Sequence, residues 1–287
     1  MTLNLIAPAK INLSLDVLGR RDDGYHTVEM VMQTIGLCDY INLQPRTDGK
    51  ILVRCTHPNI PTPQENIAYK AASLLKKITE NNRLGATITI VKNIPLAAGL
   101  GGGSADAAAV LKGLNELWDL RLSPMELAQA GLQLGADIPF CLMGGTALAQ
   151  GIGEVLQPLP SPPPFWVVLL KPNVGVSTAD VYKRFNEASV LRRPNNHNLV
   201  SALTAGSQEA IYQAMANVLE SVTFSLLPVL GDLKQRAMEY GAFASQMTGS
   251  GPTIFAFAAD SSRAEAIYNG LKDQVDFAHI TTLKEAP

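Results

Sequence analysis

Along "KINLSLDVLG" apolar and polar residues alternate, with Ile11, Leu13, Leu15 and Val17 on one side and Asn12, Ser14 and Asp16 on the other. A period of two is the spacing of a strand with one face in the core and one toward solvent, so the pattern predicts a half-buried strand. Asp23-Gly24 supplies turn chemistry after it. Thr27 to Leu43 and "KILVRC" are rich in β-formers, and the N-terminal part therefore reads as antiparallel sheet. The period then lengthens. "NIAYKAASLLKKITENN" sets Ile67, Ala71, Leu74, Leu75 and Ile78 on one side of an amphipathic helix. "ATITIVKNI" alternates again, and Ala105 to Leu117 reads as helix.

"SPMELAQAGLQLGADIPF" carries helix-boundary signals at both ends: Ser123 as N-cap with Glu126 three residues on, Pro124 at the first helical position, and Gly135 as the stop. "TALAQGIGEVLQPL" predicts two short strands around a glycine turn. Proline-rich "PLPSPPPF", Pro158 to Phe165, is the best boundary, dividing the chain into residues 1–157 and 158–287. Beyond it come a strand in "WVVLLKP", helices to about Tyr240, a strand-loop-strand in "ASQMTGSGPTIFAFA", a helix near Ala264–Leu271 and a last strand in "FAHITTL". The alternation lacks a strict βαβ rhythm, which favours an α+β fold over a doubly wound sheet.

Composition narrows the function. The 287 residues are 47% hydrophobic and 17% charged, enough for a sizeable core and too apolar for a disordered chain. A formal charge of −2 and no basic run disfavour nucleic acid and membrane surfaces as partners. Small-molecule partners are expected instead, with the chain as monomer or homodimer. The cysteines Cys38, Cys55 and Cys141 are scattered and odd in number, which fits reduced thiols in the cytoplasm rather than disulfides or a zinc site. The N-terminus lacks signal-peptide patterning, and no apolar run approaches the roughly 20 residues of a membrane span.

"GLGGGSADAA" crowds four glycines into five residues and then turns to alanine. Two familiar phosphate-loop templates fail on it. No Gly-Lys-Ser/Thr closes the loop, and Ser104 stands where a dinucleotide fingerprint needs its third glycine. The physical logic survives, because glycines let backbone N–H groups turn inward and a new helix presents free amides and a favourable dipole to an anion. A tight strand-to-helix turn is the competing reading, and the density of glycine favours the anion cradle.

"PLAAGLGGGSADAA", the N-terminal "APAKINLSLDVLGRRDDGYHTVEMVMQTI" and the C-terminal "MTGSGPTIFA" together resemble the three motifs of the GHMP kinases (galactokinase, homoserine kinase, mevalonate kinase, phosphomevalonate kinase). "PAKINL…GRRDDGYH", "QENIAYKAA", "GADIPF" and "KPNVGVSTADVY" resemble the branch of that family that uses ATP to phosphorylate a cytidyl-diphosphate-linked methylerythritol. The likeness spans nearly the whole chain. It implies a two-domain fold, mixed α/β at the N-terminus and ferredoxin-like α+β at the C-terminus.

By the same resemblance Asp137 and Lys10 are the catalytic pair. On residues alone, Asp137 in apolar company is equally well a turn-capping carboxylate, and Lys10 between Ala9 and Ile11 a snorkelling surface lysine. The resemblance also implies substrate contacts from Asn12, from Tyr25 and Tyr182 as stacking aromatics, from His26 as a base-reading group, and from the turn at Gly249 and Gly251. Without it the two tyrosines and the histidine read as ordinary packing and turn residues. On the ATP side it implies Pro95, Leu96, Ala97, Ala98, Gly99, Leu100, Gly101, Gly102, Gly103, Ser104 and Ala105 around the phosphates, with Asn66, Ile67 and Lys92 toward the rest of the nucleotide. Mg²⁺ is expected with ATP, and no acidic cluster identifies its protein ligands.

Overall fold

A computed structural model describes residues 2–57 and 64–286. The chain forms two compact units that alternate along the sequence. Unit 1 comprises Met1–Ala9, Leu37–Leu96 and Gly101–Met143, and unit 2 comprises Lys10–Gly36, Ala97–Leu100 and Gly144–Pro287. The boundary expected at 157/158 follows chain order, whereas the proline-rich stretch lies wholly inside unit 2. Two long strands, β1 (Leu3–Arg20) and β2 (His26–Arg46), pass from one unit to the other.

In unit 1, Tyr40–Arg46 of β2 pairs antiparallel with β4 (Gly85–Val91), and β3 (Ile51–Cys55) runs parallel to β4. That one parallel pair departs from the all-antiparallel expectation. Helices α1 (Ile67–Ile78), α2 (Gly102–Leu117), α3 (Pro124–Leu132) and α4 (Ile138–Met143) complete the unit. Ala68, Ala71, Ala72, Leu75, Ala105, Ala107 and Ala108 meet Ile41, Leu43, Ile88 and Ile90 in its core. Small side chains on α1 and α2 let the helices approach closely, so the buried face of α1 is the alanine side (Ala68, Ala71, Ala72, Leu75) and Ile78 is left 44% exposed. The helix is where the sequence predicts it, turned slightly from the predicted face.

The boundary signals at α3 form as read. Ser123 accepts the Glu126 N–H while the Glu126 carboxylate accepts the Ser123 N–H at 2.8 Å. Ser123→Ala is expected to cost about 1 kcal/mol, measurable as a shifted urea midpoint at unchanged slope. The helix stops at Leu132, before Gly135, and the short α4 follows.

In unit 2, Met30–Gln33 of β2 pairs with β5 (Thr146–Gln150), which forms a hairpin with β6 (Val155–Leu159) as predicted. The rest is a four-stranded antiparallel sheet of β7 (Trp166–Lys171), β8 (Ala244–Met247), β9 (Ile254–Ala258) and β10 (Phe277–Thr282), in the order β10-β7-β9-β8. Numbered within the sheet, that order is 4-1-3-2, the ferredoxin-like arrangement. Helices α5 (Thr178–Arg184), α6 (Asn196–Ala205), α7 (Gln208–Ala214), α8 (Glu220–Leu226) and α9 (Val229–Glu239) connect β7 to β8. Helix α10 (Ser261–Leu271) connects β9 to β10.

One expectation for β1 is overturned. The polar side is not solvated: Asn12 and Ser14 are fully buried and Asp16 is 8% exposed, like the apolar side opposite. Each polar group is satisfied internally, as burial demands. Ser14 Oγ donates to Asn196 Oδ1 at 2.5 Å, and Asp16 pairs with Arg193. Among the described residues no helix is long and apolar enough to cross a membrane. None of the three cysteines forms a disulfide.

Candidate active site

The glycine stretch belongs to both units, with Ala97–Leu100 in unit 2 and Gly101 onward in unit 1. Gly101 is the N-cap of α2 and takes the left-handed φ of 69°, which turns the chain directly into the helix. The first turn of α2 contains no acidic residue, so no carboxylate there would oppose an anion at its free amides. Ile67 approaches within 3.6 Å of the Cβ position of Gly103, and Ser104 Oγ lies 3.9 Å from that of Gly135. Unit 1 thus gathers α2's N-terminus, the start of α1 and the turn that carries Asp137. Asn66 caps α1 through Oδ1, which accepts the Ala68 N–H at 2.8 Å. That oxygen is committed to the helix, leaving the Asn66 amide nitrogen for other work. Asp137 immediately precedes α4, and its carbonyl accepts the Cys141 N–H.

Lys92 lies differently from the expectation of a nucleotide-facing side chain. Its ammonium is buried between Asp39 and Asp106, with Asp106 Oδ2 at 2.8 Å. Neither carboxylate was singled out by motif. The one legible signal was a lone Asp inside the alanine run of α2.

Unit 2 holds the other group. Lys10 is 5% exposed, so it is no surface lysine, and its ammonium donates to Asn12 Oδ1 at 2.8 Å. The Asn12 N–H donates to Thr248 Oγ1 at 3.1 Å, and Thr248 Oγ1 donates to the Gly99 carbonyl at 3.2 Å. The Lys10 N–H donates to the Leu100 carbonyl at 3.0 Å. Asn217 Nδ2 ties down the carbonyls of Met247 and Gly249, each at 2.8 Å. The glycine loop, the β1 lysine and the turn carrying Gly249 and Gly251 therefore form one hydrogen-bonded cluster. Thr248, its central member, was missed in sequence because its partners lie far away in the chain.

His26 and Tyr182 also come together, with ring centroids 5.3 Å apart and planes tilted by 36°. Tyr25 beside them is 62% exposed, an unusual position for a large ring. Burial and then Arg20 push the His26 pKa below its ordinary value, so at neutral pH its ring offers one donor and one acceptor. Among the described residues no group of three or more His, Cys, Asp or Glu side chains is placed to hold a metal ion. Asp39 and Asp106 already hold an ammonium.

Known proteins fit this arrangement. The family model for the GHMP kinases N terminal domain matches residues 66–145, and that for the GHMP kinases C terminal domain matches residues 199–276. The 4-diphosphocytidyl-2-C-methyl-D-erythritol kinase of Shouchella clausii is 47% identical over 283 residues, 99% of this chain and 95% of that protein. That of Alkaliphilus metalliredigens is 47% identical over 269 residues, 94% and 92% of the two chains. A crystal structure of 4-(cytidine 5'-diphospho)-2C-methyl-D-erythritol kinase superposes with a TM-score of 0.83 at 33% identity, covering 98% of this chain and 99% of that one. The mevalonate kinase of L. major in complex with R-mevalonate shares the fold, with a TM-score of 0.75 at 20% identity over 99% and 97% of the chains. The family models and the curated relatives define a small-molecule kinase of mixed helices and sheets. The chain belongs to the GHMP kinase family.

Proposed function

We propose that this chain transfers the γ-phosphoryl group of ATP to the 2-hydroxyl of 4-diphosphocytidyl-2-C-methyl-D-erythritol, a step in the non-mevalonate route to isoprenoid precursors. The observation that carries the reading is the 47% identity to kinases of that name over 99% and 94% of this chain. The amides of Gly99 to Ser104 receive the ATP phosphates. Lys10 and Asp137 meet the acceptor hydroxyl. The hydroxyl oxygen bonds to the γ-phosphorus as the bond to the β-phosphate oxygen breaks, the proton passes to the Asp137 carboxylate, and ADP leaves. The Lys10 ammonium, aimed by Asn12, offsets charge on the attacking oxygen. Mg²⁺ bound with ATP would neutralise phosphate charge.

Tyr25 and Tyr182 bracket the cytosine while neutral His26 reads its edge. Ring stacking is shared by ground and transition states. Tyr25→Ala is therefore expected to raise the KM for the cytidyl substrate about tenfold with kcat nearly unchanged, about 1.4 kcal/mol of lost stacking. Steady-state kinetics check it, and a fall in kcat at constant KM would remove Tyr25 from the base-binding role. The reading as a whole is tested by a phosphotransfer assay across the cytidyl substrate, mevalonate and homoserine. Turnover of the cytidyl compound alone is expected, and turnover of either other alcohol without it would overturn the proposal.

A further inference from the structure

The ion cluster beneath the start of α2 has no part in the chemistry above. Lys92, at the exit of β4, has a side chain 3% exposed, and its partners Asp39 and Asp106 are 0% and 6% exposed. Asp39 Oδ1 accepts the N–H groups of Asn93 at 2.6 Å and Ile94 at 2.9 Å, pinning the two residues that lead into the glycine loop. Asp106 stands on α2 itself, four residues past Gly102. Between these two anchors the Lys92 ammonium comes within 3.4 Å of the Cβ position of Gly102, and Ile94 Cγ2 within 2.8 Å. A side chain at Gly102 would have no room. One cation thus ties the segment before the loop to the helix after it.

We propose that Lys92, Asp39 and Asp106 act as positioning residues, a buried ionic clamp that sets the distance from the end of β4 to the first turn of α2 and so fixes the amides that receive the ATP phosphates. The inference rests on the kinase reading above and adds to it a job for three residues that the proposed phosphoryl transfer does not use. The charge count supports it. Two carboxylates share one ammonium, and Asp106 Oδ1 is buried with no hydrogen-bond partner. An apolar trio of similar volume would serve the core at least as well, because buried ion pairs add little net stability. What charge adds here is direction. The groups facing Asp106 are Lys92 just past β4 and Asp39 from β2, and the Cys55 thiol of β3 senses all three. Burial foremost, and Asp39 after it, push the Asp106 carboxyl up to about 7 against the pull of Lys92. Titration of this carboxyl therefore changes how strongly the clamp holds Lys92.

Binding of a non-hydrolysable ATP analogue to the full chain, by calorimetry from pH 6 to 8.5, tests the clamp. Asp106→Asn keeps shape and one acceptor but fixes the neutral form. At pH 8 it is expected to weaken analogue binding about tenfold, since a neutral acceptor holds Lys92 less firmly than a carboxylate. The gap to wild type should close as pH falls below about 7, where the native carboxyl is itself protonated. Thermal melts of the same samples should show the variant at least as stable as wild type at pH 8. A carboxyl whose folded pKa is raised contributes stability at low pH and loses it as pH rises through the folded value. Lost affinity with retained stability is not what a merely structural residue would produce. Asp106→Leu, which removes the acceptor altogether, should lose at least as much affinity, with a gap that persists at low pH. Wild-type affinity in Asp106→Asn at pH 8, or a gap that widens toward pH 6, would overturn the clamp and leave the kinase reading standing. A wild-type chain that binds no analogue would overturn both.

Discussion

Asp137→Asn is expected to lower kcat about a thousandfold, within the 10²–10⁴ range that a positioned general base contributes. Binding of ATP and of the cytidyl substrate should stay within about threefold of wild type, since the substitution keeps size and hydrogen-bonding shape. The physical reason is specific to the side chain. An Asn oxygen can still accept a hydrogen bond from the hydroxyl, but it cannot take the proton that must leave as the new O–P bond forms. The residue's carbonyl holds the Cys141 N–H, a backbone bond that the side-chain substitution does not remove. Single-turnover kinetics with calorimetric ATP binding separate the two effects. A variant that retains near-normal turnover would move the proton to another acceptor. A variant that loses ATP binding in step with turnover would make Asp137 a structural residue.

Gly99→Ala should also be damaging, through the backbone. Gly99 has φ of 73°, and a Cβ built there lies 2.5 Å from the Thr248 carbonyl oxygen and 3.1 Å from that of Gly251. The left-handed conformation alone costs an L-residue about 1–2 kcal/mol. The clash cannot be relieved by a rotamer, because both obstacles are backbone, and the Thr248 carbonyl already accepts the Gly251 N–H at 3.0 Å. Either the glycine loop or the turn behind it must shift. A total destabilisation of about 2–4 kcal/mol is expected, as for other large backbone effects, with KM for ATP raised at least about tenfold. Gly175→Ala is the control, since no atom lies within 4 Å of its Cβ position. Equal ATP affinity in the two variants would show that the backing of Gly99 does not matter.

The difference between those two glycines marks how far sequence reading reaches. Periodicity located β1, α1, the β5–β6 hairpin and the ferredoxin-like strands, because each rests on short-range spacing. It could not tell that the polar side of β1 is buried. Alternation says that two faces differ, and only the arrival of Asn196 and Arg193 from far along the chain decides that one meets protein rather than water. The apolar face of α1 was nearly right, but close packing among alanines turned it away from Ile78. Helix α4 was hidden by its six residues and by Pro139. At the site, the glycine loop announced itself by composition, and burial of Lys10 removes the surface-lysine alternative. Lys92 carried no such sign, because its carboxylate partners come from β2 and α2.

Protein synthesis gives the alternating units a temporal meaning. The hydroxyl that supports Gly99 belongs to a residue 149 positions later. At about 5–20 residues per second that threonine leaves the ribosome roughly 7–30 s after the glycine. During that interval a nascent chain carries the glycines without their backing. A chain cut short before β8 lacks the partner of its own loop, so it should be unable to sequester ATP that a finished enzyme would use.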